Sequence, residues 1–351
     1  MSGGVDSSVT AWLLKEAGYE VIGITMKVWP QDCISRAEDK CCGPQAVADA
    51  RGVAHALGVP HYVIDEAAQF EKLVIDYFKS EYGQGRTPNP CVMCNEKLKF
   101  GNLLTRARSL GAVKVGTGHY ARVEKRGDRW VLLKGMDPRK DQSYFLFSLS
   151  QEQLAHTLMP LGDKSKPEVR EAAKKLGLRV YDKEDSQEIC FVPGNDYGAF
   201  LKSHMGESQF HPGEIVHRDG RLLGHHAGIE YFTVGQRKGI GLSHPTPLYV
   251  LDIDSATSRV VVGDDGDLWS EEFEVDCVIW SGMQGCDDGR EVSVKIRHSH
   301  ADAPARIFNV GKDRVRIEWS EPQRAVTPGQ AAVFYDGDLV LGGGWIVRRP
   351  L

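Results

Sequence analysis

Three stretches of the chain carry residue types that do chemistry. The first is Ser2-Gly3-Gly4-Val5-Asp6-Ser7-Ser8, which opens a helical pattern. Two adjacent glycines let backbone curl closely around an anion. Ser2, Ser7, Ser8 and the N–H groups of the first helical turn supply donors, aided by the helix dipole. The GxxxxGK[ST] spacing of the common phosphate loop is absent. The second stretch is Arg86-Thr87-Pro88-Asn89-Pro90-Cys91-Val92-Met93-Cys94-Asn95. Its two prolines and Asn predict a non-helical loop that presents two thiols three residues apart. Such a pair serves as half a zinc site, a redox dithiol, or a cluster or sulfur-handling site. Structural zinc wants a second close pair, whereas Cys41 and Cys42 are adjacent and Cys33 stands eight residues before Cys41. The third thiol, Cys190, lies between Ile189 and Phe191 and on that ground reads as a small buried hydrophobe. The polar lead-in Asp185-Ser186-Gln187-Glu188 weighs against that.

Two further runs sit near these. Gly116-Thr117-Gly118-His119-Tyr120 closes a strand-like segment, where Gly118 admits a nucleotide closely. His119 either touches substrate or satisfies a local hydrogen bond. Residues 122–140 hold seven Lys and Arg against three acids, a local charge of +4. That is a solvated face or, with Tyr120, Trp130 and Tyr144 interleaved, an RNA contact.

The elements that must position these residues follow from periodicity. Residues 6–18 read as a helix with Val9, Leu13 and Ala17 on one face and Gly18 as its stop. A strand over 20–26, a helix over 45–57, a strand over His61–Asp65, a helix over 66–82 and a strand over 112–116 follow. This βαβα rhythm predicts a parallel sheet with helices on both faces, its ligands beyond the carboxyl ends of the strands. A further helix falls within 160–178. From about residue 206 Gly, Pro and short alternating segments dominate, and 272–351 is nearly all strand, which suggests a β-barrel. The outline is an α/β catalytic domain over 1–200, taking in part of a central module near 156–183. A central α+β module over 201–268 and a C-terminal β-barrel over 269–351 complete it. A phosphate loop is delivered by a strand, so Met1 is expected to be a misassigned start, with the working chain beginning upstream.

Composition bounds the answer. At 351 residues two or three domains are expected, and 41% hydrophobic with 26% charged residues excludes disorder as the main state. The net charge of -5 argues against an overall basic nucleic-acid binder, though not against a local basic face. No apolar run of about 18 residues occurs, so no membrane span is expected. The first residues have neither the basic start nor the apolar core of a secretory signal. A cytoplasmic location is expected, with the eight cysteines reduced and available to metal or catalysis.

SGGVDSS resembles the pyrophosphate loop of ATP pyrophosphatases, which split ATP into AMP and pyrophosphate, usually to adenylate a carbonyl oxygen. Other stretches accompany it in order: GITMKVW, GRTPNP, TGHYAR, KDQSYFL, QEICF, HHAGIEYFTVGQRKGIG, AVTPGQAAVFY and LGGG. Taken together, the chain resembles bacterial tRNA-specific 2-thiouridylases end to end, enzymes that place sulfur on C2 of the wobble uridine. The resemblance implies a parallel-sheet α/β domain of the ATP-pyrophosphatase (adenine nucleotide alpha hydrolase-like) type, a central module and a C-terminal β-barrel. It implies that Met1, Ser2, Gly3, Gly4, Val5, Asp6, Ser7 and Ser8 bind ATP phosphates, that Met26 lines the adenine site and that Gly118 touches the nucleotide. By the same resemblance Asn89, Pro90 and Cys91 meet the target base. His119, Lys140, Asp141, Gln142, Arg297, His298 and Gln330 take the tRNA-contacting positions. Cys94 matches the nucleophile and Cys190 the persulfide carrier. ATP with Mg²⁺, tRNA and a sulfur-donor protein (a cysteine desulfurase or sulfur relay protein) are the implied cofactors and partners.

One position departs. Many relatives carry Asp where this chain has Cys91, and a thiol is a poor substitute for a carboxylate in acid–base work. Cys91, Cys94 and Cys190 instead offer three thiols, the ligand set with which related sulfur-transferring pyrophosphatases hold a [4Fe–4S] cluster. Two other functions use some of the same residues. An amide-forming ligase on the same loop would need neither Cys94 nor Cys190. A non-catalytic, metal-dependent RNA-binding module would have no use for a triphosphate cradle.

Overall fold

The computed structural model describes residues 1–28, 43–183, 189–192, 194 and 196–347. Cys33, Cys41, Cys42 and the Asp185-Ser186-Gln187-Glu188 lead-in lie outside the described residues. The chain forms two compact units. One comprises Met1–Val74, Cys91–Pro193 and Asp338–Val340; the other comprises Ile75–Pro90, Gly194–Gly337 and Leu341–Leu351.

In the first unit β1 (Gly23–Lys27) pairs in parallel with β2 (His61–Asp65). The crossover between them carries the helix Pro44–Leu57, which starts on Gly43 and Pro44 and stops at Gly58 in the left-handed region, φ 63°. A second parallel ladder joins β3 (Val115–Gly116) to β6 (Thr157–Leu158). Within this unit's described residues, parallel pairing is therefore present as two separate two-stranded ladders, and the strand expected over 112–116 is two residues long. Between them in sequence lies an antiparallel hairpin, β4 (Ala121–Arg126) and β5 (Arg129–Lys134), turning at Gly127 with φ 58°. It carries most of the basic run. The helix Val5–Glu16 buries Val5, Val9 and Ala11 against Val53 and Leu57 on one side and Val169 and Ala173 of the helix Lys166–Lys175 on the other.

In the second unit β7 (Gly213–His217), β8 (Leu222–His226), β9 (Tyr249–Asp254) and β10 (Arg259–Gly263) form a sheet ordered β8-β7-β10-β9. The β7–β10 pair is parallel and its neighbours antiparallel. Ile215, Val250, Val260 and Val262 fill its core. The strands β11 (Trp269–Ile279), β12 (Arg290–Lys295), β13 (Ala303–Gly311), β14 (Arg314–Arg324), β15 (Ala331–Asp336) and β16 (Leu339–Ile346) follow. They run in the order β11-β14-β13-β12-β15-β16, and β16 pairs back onto β11, which closes a six-stranded barrel. Closure removes free edges, and Phe273, Val275, Ile307, Ile317 and Phe334 fill the inside. The stretch read as one helix over 66–82 is broken: Ala67–Phe70 and Asp76–Gly83 flank a π-helical turn, Glu71–Ile75.

Candidate active site

The Ser2–Ser8 loop, the candidate phosphate cradle, is held from several directions. Gly4 caps the helix Val5–Glu16 with backbone at φ -103°, ψ 166° and makes no side-chain cap bond. No side-chain cap thus takes the first-turn N–H groups. Ser2 Oγ donates to Ser7 Oγ at 3.2 Å, and Ser8 Oγ donates to the Gly4 carbonyl at 2.8 Å. Gly3 has φ 69°, and a Cβ there would stand 2.3 Å from the Ala46 carbonyl oxygen. A Cβ on Gly118 would stand 2.9 Å from the Asp6 carbonyl carbon and 3.0 Å from the Ser7 nitrogen. Glycine is thus required where the Thr117–Tyr120 turn lies on the loop. Met1 donates its ammonium to the Ile24 carbonyl, and its own carbonyl accepts from Thr25 Oγ1 at 2.6 Å. Met26 on β1 is half-buried.

Two lysines that the sequence reading passed over converge on this loop. Lys166 Nζ donates to both carboxylate oxygens of Asp6 at 2.8 Å, and Tyr120 Oη donates to Asp6 Oδ1 at 2.7 Å. Lys183 Nζ donates to the Gly3 carbonyl at 3.2 Å and to Asp49 Oδ2 at 2.7 Å. Burial opposes ionisation of Asp49, yet hydrogen bonds from Lys183 and Gln45 and the Lys183 charge hold its carboxyl below the usual value.

The same unit links the loop to the thiol segment. Tyr120 N donates to Gln142 Oε1 at 3.0 Å, and Gln142 N donates to the Tyr120 carbonyl at 2.9 Å. A few residues on, the Phe145 carbonyl accepts from Asn95 Nδ2 at 3.2 Å. Cys91 and Cys94 do not sit on a loop, as the prolines suggested. Pro90 opens a helix, Pro90–Met93, that passes into the π-helical segment Cys94–Asn102, so the irregular stretch ends at Asn89. Proline at a first helical position costs nothing, because its missing N–H would be unpaired anyway. Gln153 Nε2 donates to the Glu96 and Phe100 carbonyls at 3.0 Å each, satisfying backbone in the widened turn. Cys91, Cys94 and Cys190 are half-buried. Phe191, next to Cys190, packs edge-on to Phe70 at 5.6 Å.

Several expected RNA contacts are committed internally. Asp141 is buried and accepts from the N–H groups of Gly135 and Ser143 at 3.0 Å each and from Ser143 Oγ at 2.9 Å. His119 is buried, hydrogen-bonded to Thr117 Oγ1 at 2.6 Å and tilted against Phe100. Burial, with the Lys99 charge adding to it, pushes its imidazole well below the usual value, so it is neutral at pH 7. Lys140 is half-buried, and its N–H donates to the Asp137 carbonyl at 3.0 Å. Of the seven basic residues of the run, Arg122 pairs with Asp338, Arg126 with Glu124 and Arg139 with Asp137.

The second unit groups Asn89, Pro90 and Gln330. Gln330 Nε2 donates to the Thr87 carbonyl at 3.1 Å and the Pro88 carbonyl at 2.9 Å, and Thr87 N donates to the Pro328 carbonyl at 2.9 Å. A Cβ on Gly329 would meet Thr87 O at 2.8 Å. Asn89 and Pro90 are buried. Arg297 Nη2 donates to the Arg324 carbonyl at 2.9 Å, while His298 is exposed. Cys277 and Cys286 lie in this unit too. Burial pushes both thiols up, with the Asp276 and Asp313 charges adding to it at Cys277.

Comparison with known proteins bears on this arrangement. Residues 1–194 match a model described as tRNA methyl transferase HUP domain. Residues 198–264 match the PRC-barrel domain of the same name, and 270–346 an aminomethyltransferase beta-barrel domain. A tRNA-specific 2-thiouridylase from Geobacter metallireducens is 51% identical over 99% of this chain and 95% of that protein. Those from Geotalea uraniireducens, 52% identical, and Clostridioides difficile, 47% identical, cover 99% and 100% of this chain and 93% and 97% of theirs. The chain belongs to the tRNA-specific 2-thiouridylase family. The family models speak of methyl transfer and the 2-thiouridylases of thiolation; a phosphate loop joined to a thiol-bearing helix fits the second. The HUP match and the loop together indicate that this 2-thiouridylase family member uses ATP. Among the described residues no three His, Cys, Asp or Glu side chains group as a metal site. Mg²⁺ needs no such group, since it is commonly held by substrate phosphates with one or two carboxylates. No helix among the described residues is long and apolar enough to cross a membrane.

Lys166 was missed although one signal was in the sequence. It opens its helix inside the Ser165–Glu168 capping box, where the dipole disfavours a cation. A lysine there needs an acidic partner, and Asp6 is that partner.

Proposed function

We propose that this protein catalyses ATP-dependent 2-thiolation of the wobble uridine of tRNA. The observation that carries the reading is the hydrogen-bonded path from Asp6 through Tyr120 and Gln142, and on from Phe145 to Asn95 beside Cys94. It couples an anion cradle to a thiol.

Uracil C2 is a poor electrophile, so its oxygen first displaces pyrophosphate from ATP and becomes an adenylate. Ser2, Ser7, Ser8 and the first-turn N–H groups orient and stabilise the departing phosphates. Mg²⁺, when bound with the nucleotide, would neutralise phosphate charge. A sulfur-donor protein, a cysteine desulfurase or relay protein, loads Cys190 as a persulfide. The terminal sulfur attacks C2 and AMP leaves with the C–O electron pair; Cys94 then attacks Cys190 Sγ, which frees the thiouridine. Alternatively Cys94 attacks first and releases sulfide beside C2. Both orders end in a Cys94–Cys190 disulfide that an external thiol reopens. That demand for thiol reductant supports a cytoplasmic location. No step is routed through an iron–sulfur cluster.

Thiolation of a tRNA transcript with ATP, a cysteine desulfurase and its cysteine substrate as sulfane-sulfur source, and reductant tests this in two atmospheres. The expected result is 2-thiouridine, AMP and pyrophosphate in air and under nitrogen alike. Product only under nitrogen, with absorbance at about 400 nm on the protein, would replace the persulfide route by the cluster.

The Gln330 clamp shapes the base-reading loop on this reading. Gln330→Leu removes two hydrogen bonds of about 1 kcal/mol each at little change in volume. Thiolation kcat/KM is expected to fall about tenfold to thirtyfold with ATP affinity unchanged. Equal kinetics for Gln330→Leu and wild type would remove the clamp from the mechanism.

A further inference from the structure

Asp6 presents a difficulty to the loop it belongs to. It sits in the first turn of the helix that receives phosphate, and a carboxylate there repels an incoming triphosphate. Its surroundings answer that charge. Lys166 Nζ bridges both carboxylate oxygens at 2.8 Å with its side chain 9% exposed, and the ammonium lies 5.7 Å from the Tyr120 ring centroid. The lysine is itself fixed from behind: its backbone N–H donates to Asp137 Oδ2 at 3.2 Å, and the Ser165–Glu168 capping box sets the start of its helix. Tyr120 Oη holds Asp6 Oδ1 from the other side. Asp6, Tyr120, Asp137 and Lys166 all belong to the first unit.

We infer that Lys166 is a positioning residue of the nucleotide site, neutralising Asp6 and pinning its carboxylate so that the serine hydroxyls and first-turn N–H groups face the triphosphate without a competing negative charge. This rests on the assignment of the loop to ATP. Lys166 acts through Asp6 and contributes no contact of its own to the phosphates, which gives the inference a distinctive consequence. Its loss is corrected by also removing the charge of Asp6.

The experiment measures equilibrium binding of ATP and of AMP to the full chain, with Lys166→Met, Lys166→Arg, Asp6→Asn and the double variant Lys166→Met/Asp6→Asn. Lys166→Met is expected to weaken ATP about tenfold or more and AMP by no more than about twofold, since AMP lacks the phosphates that meet Asp6. Lys166→Arg keeps the charge and retains ATP affinity to within about threefold. The double variant regains most of what Lys166→Met loses. A double variant as weak as Lys166→Met overturns the inference, because the lysine would then touch phosphate directly. So does a Lys166→Met protein that binds ATP like wild type, and so does equal weakening of ATP and AMP, the mark of general disruption. If the wild-type chain itself bound no ATP, the assignment of the loop would fail, and not the role of the lysine alone.

Discussion

Cys190→Ser is expected to abolish 2-thiouridine formation, by about a thousandfold or more, while pyrophosphate is still released from ATP as the uridine is adenylated when tRNA is present. Serine keeps the size of the side chain and its place beside Phe191, which packs on Phe70, so the fold has no reason to change. What is lost is the capacity to carry sulfane sulfur, since an oxygen–sulfur link hydrolyses where a persulfide persists. Cys94→Ser separates the two orders of attack. If the terminal sulfur attacks C2 first, a Cys190-persulfide protein lacking the Cys94 thiol cannot resolve the adduct. A tRNA–protein mixed disulfide then accumulates, visible as a dithiothreitol-sensitive band on a non-reducing gel. If Cys94 must first release sulfide, Cys94→Ser gives neither product nor adduct. An amide-forming ligase on the same loop would keep full turnover in both variants, and that outcome would end the thiolation reading.

How much of this was legible beforehand depends on how local the determining physics is. His61–Asp65 was placed to the residue, and the helix Pro44–Leu57 to within one, because Gly43, Pro44 and Gly58 fix its ends through backbone preferences alone. The β4–β5 hairpin was hidden because its alternation is filled by charges on both faces, although Gly127-Asp128 is a turn signal. The π-helical turns at Glu71–Ile75 and Cys94–Asn102 have no local signature. The second depends on Gln153, more than fifty residues away, to satisfy its carbonyls. Asp141 shows the limit at the level of a single site residue. An acid that accepts three internal hydrogen bonds and one that meets RNA are the same letter in a sequence. Glycines of the phosphate loop are the opposite case, for their requirement is written in type and spacing, and the structure adds which of the two is indispensable and why.

Gly3→Ala is the sharpest test of that loop. Gly3 has φ 69°, in the left-handed region that costs a residue with a Cβ about 1–2 kcal/mol. The added carbon would also stand 2.3 Å from the oxygen, 2.8 Å from the Cα and 2.9 Å from the carbonyl carbon of Ala46, all backbone atoms of the helix Pro44–Leu57. Backbone cannot swing aside as a long side chain can, so the loop must lift or the helix must shift. Either movement displaces Ser2 and the Gly3 carbonyl that Lys183 holds. The expected result is a fall in ATP affinity of about thirtyfold or more, with a drop of several degrees in Tm, roughly 2–4 °C for each kcal/mol lost. Gly4→Ala is the control, because Gly4 has an extended backbone and its nearest neighbour would be Ser2 Oγ at 3.6 Å. Its Tm is expected to stay within about 1 °C of wild type. Were Gly3→Ala to match wild type in both ATP affinity and Tm, the close approach of the loop to Ala46 would have no part in building the cradle.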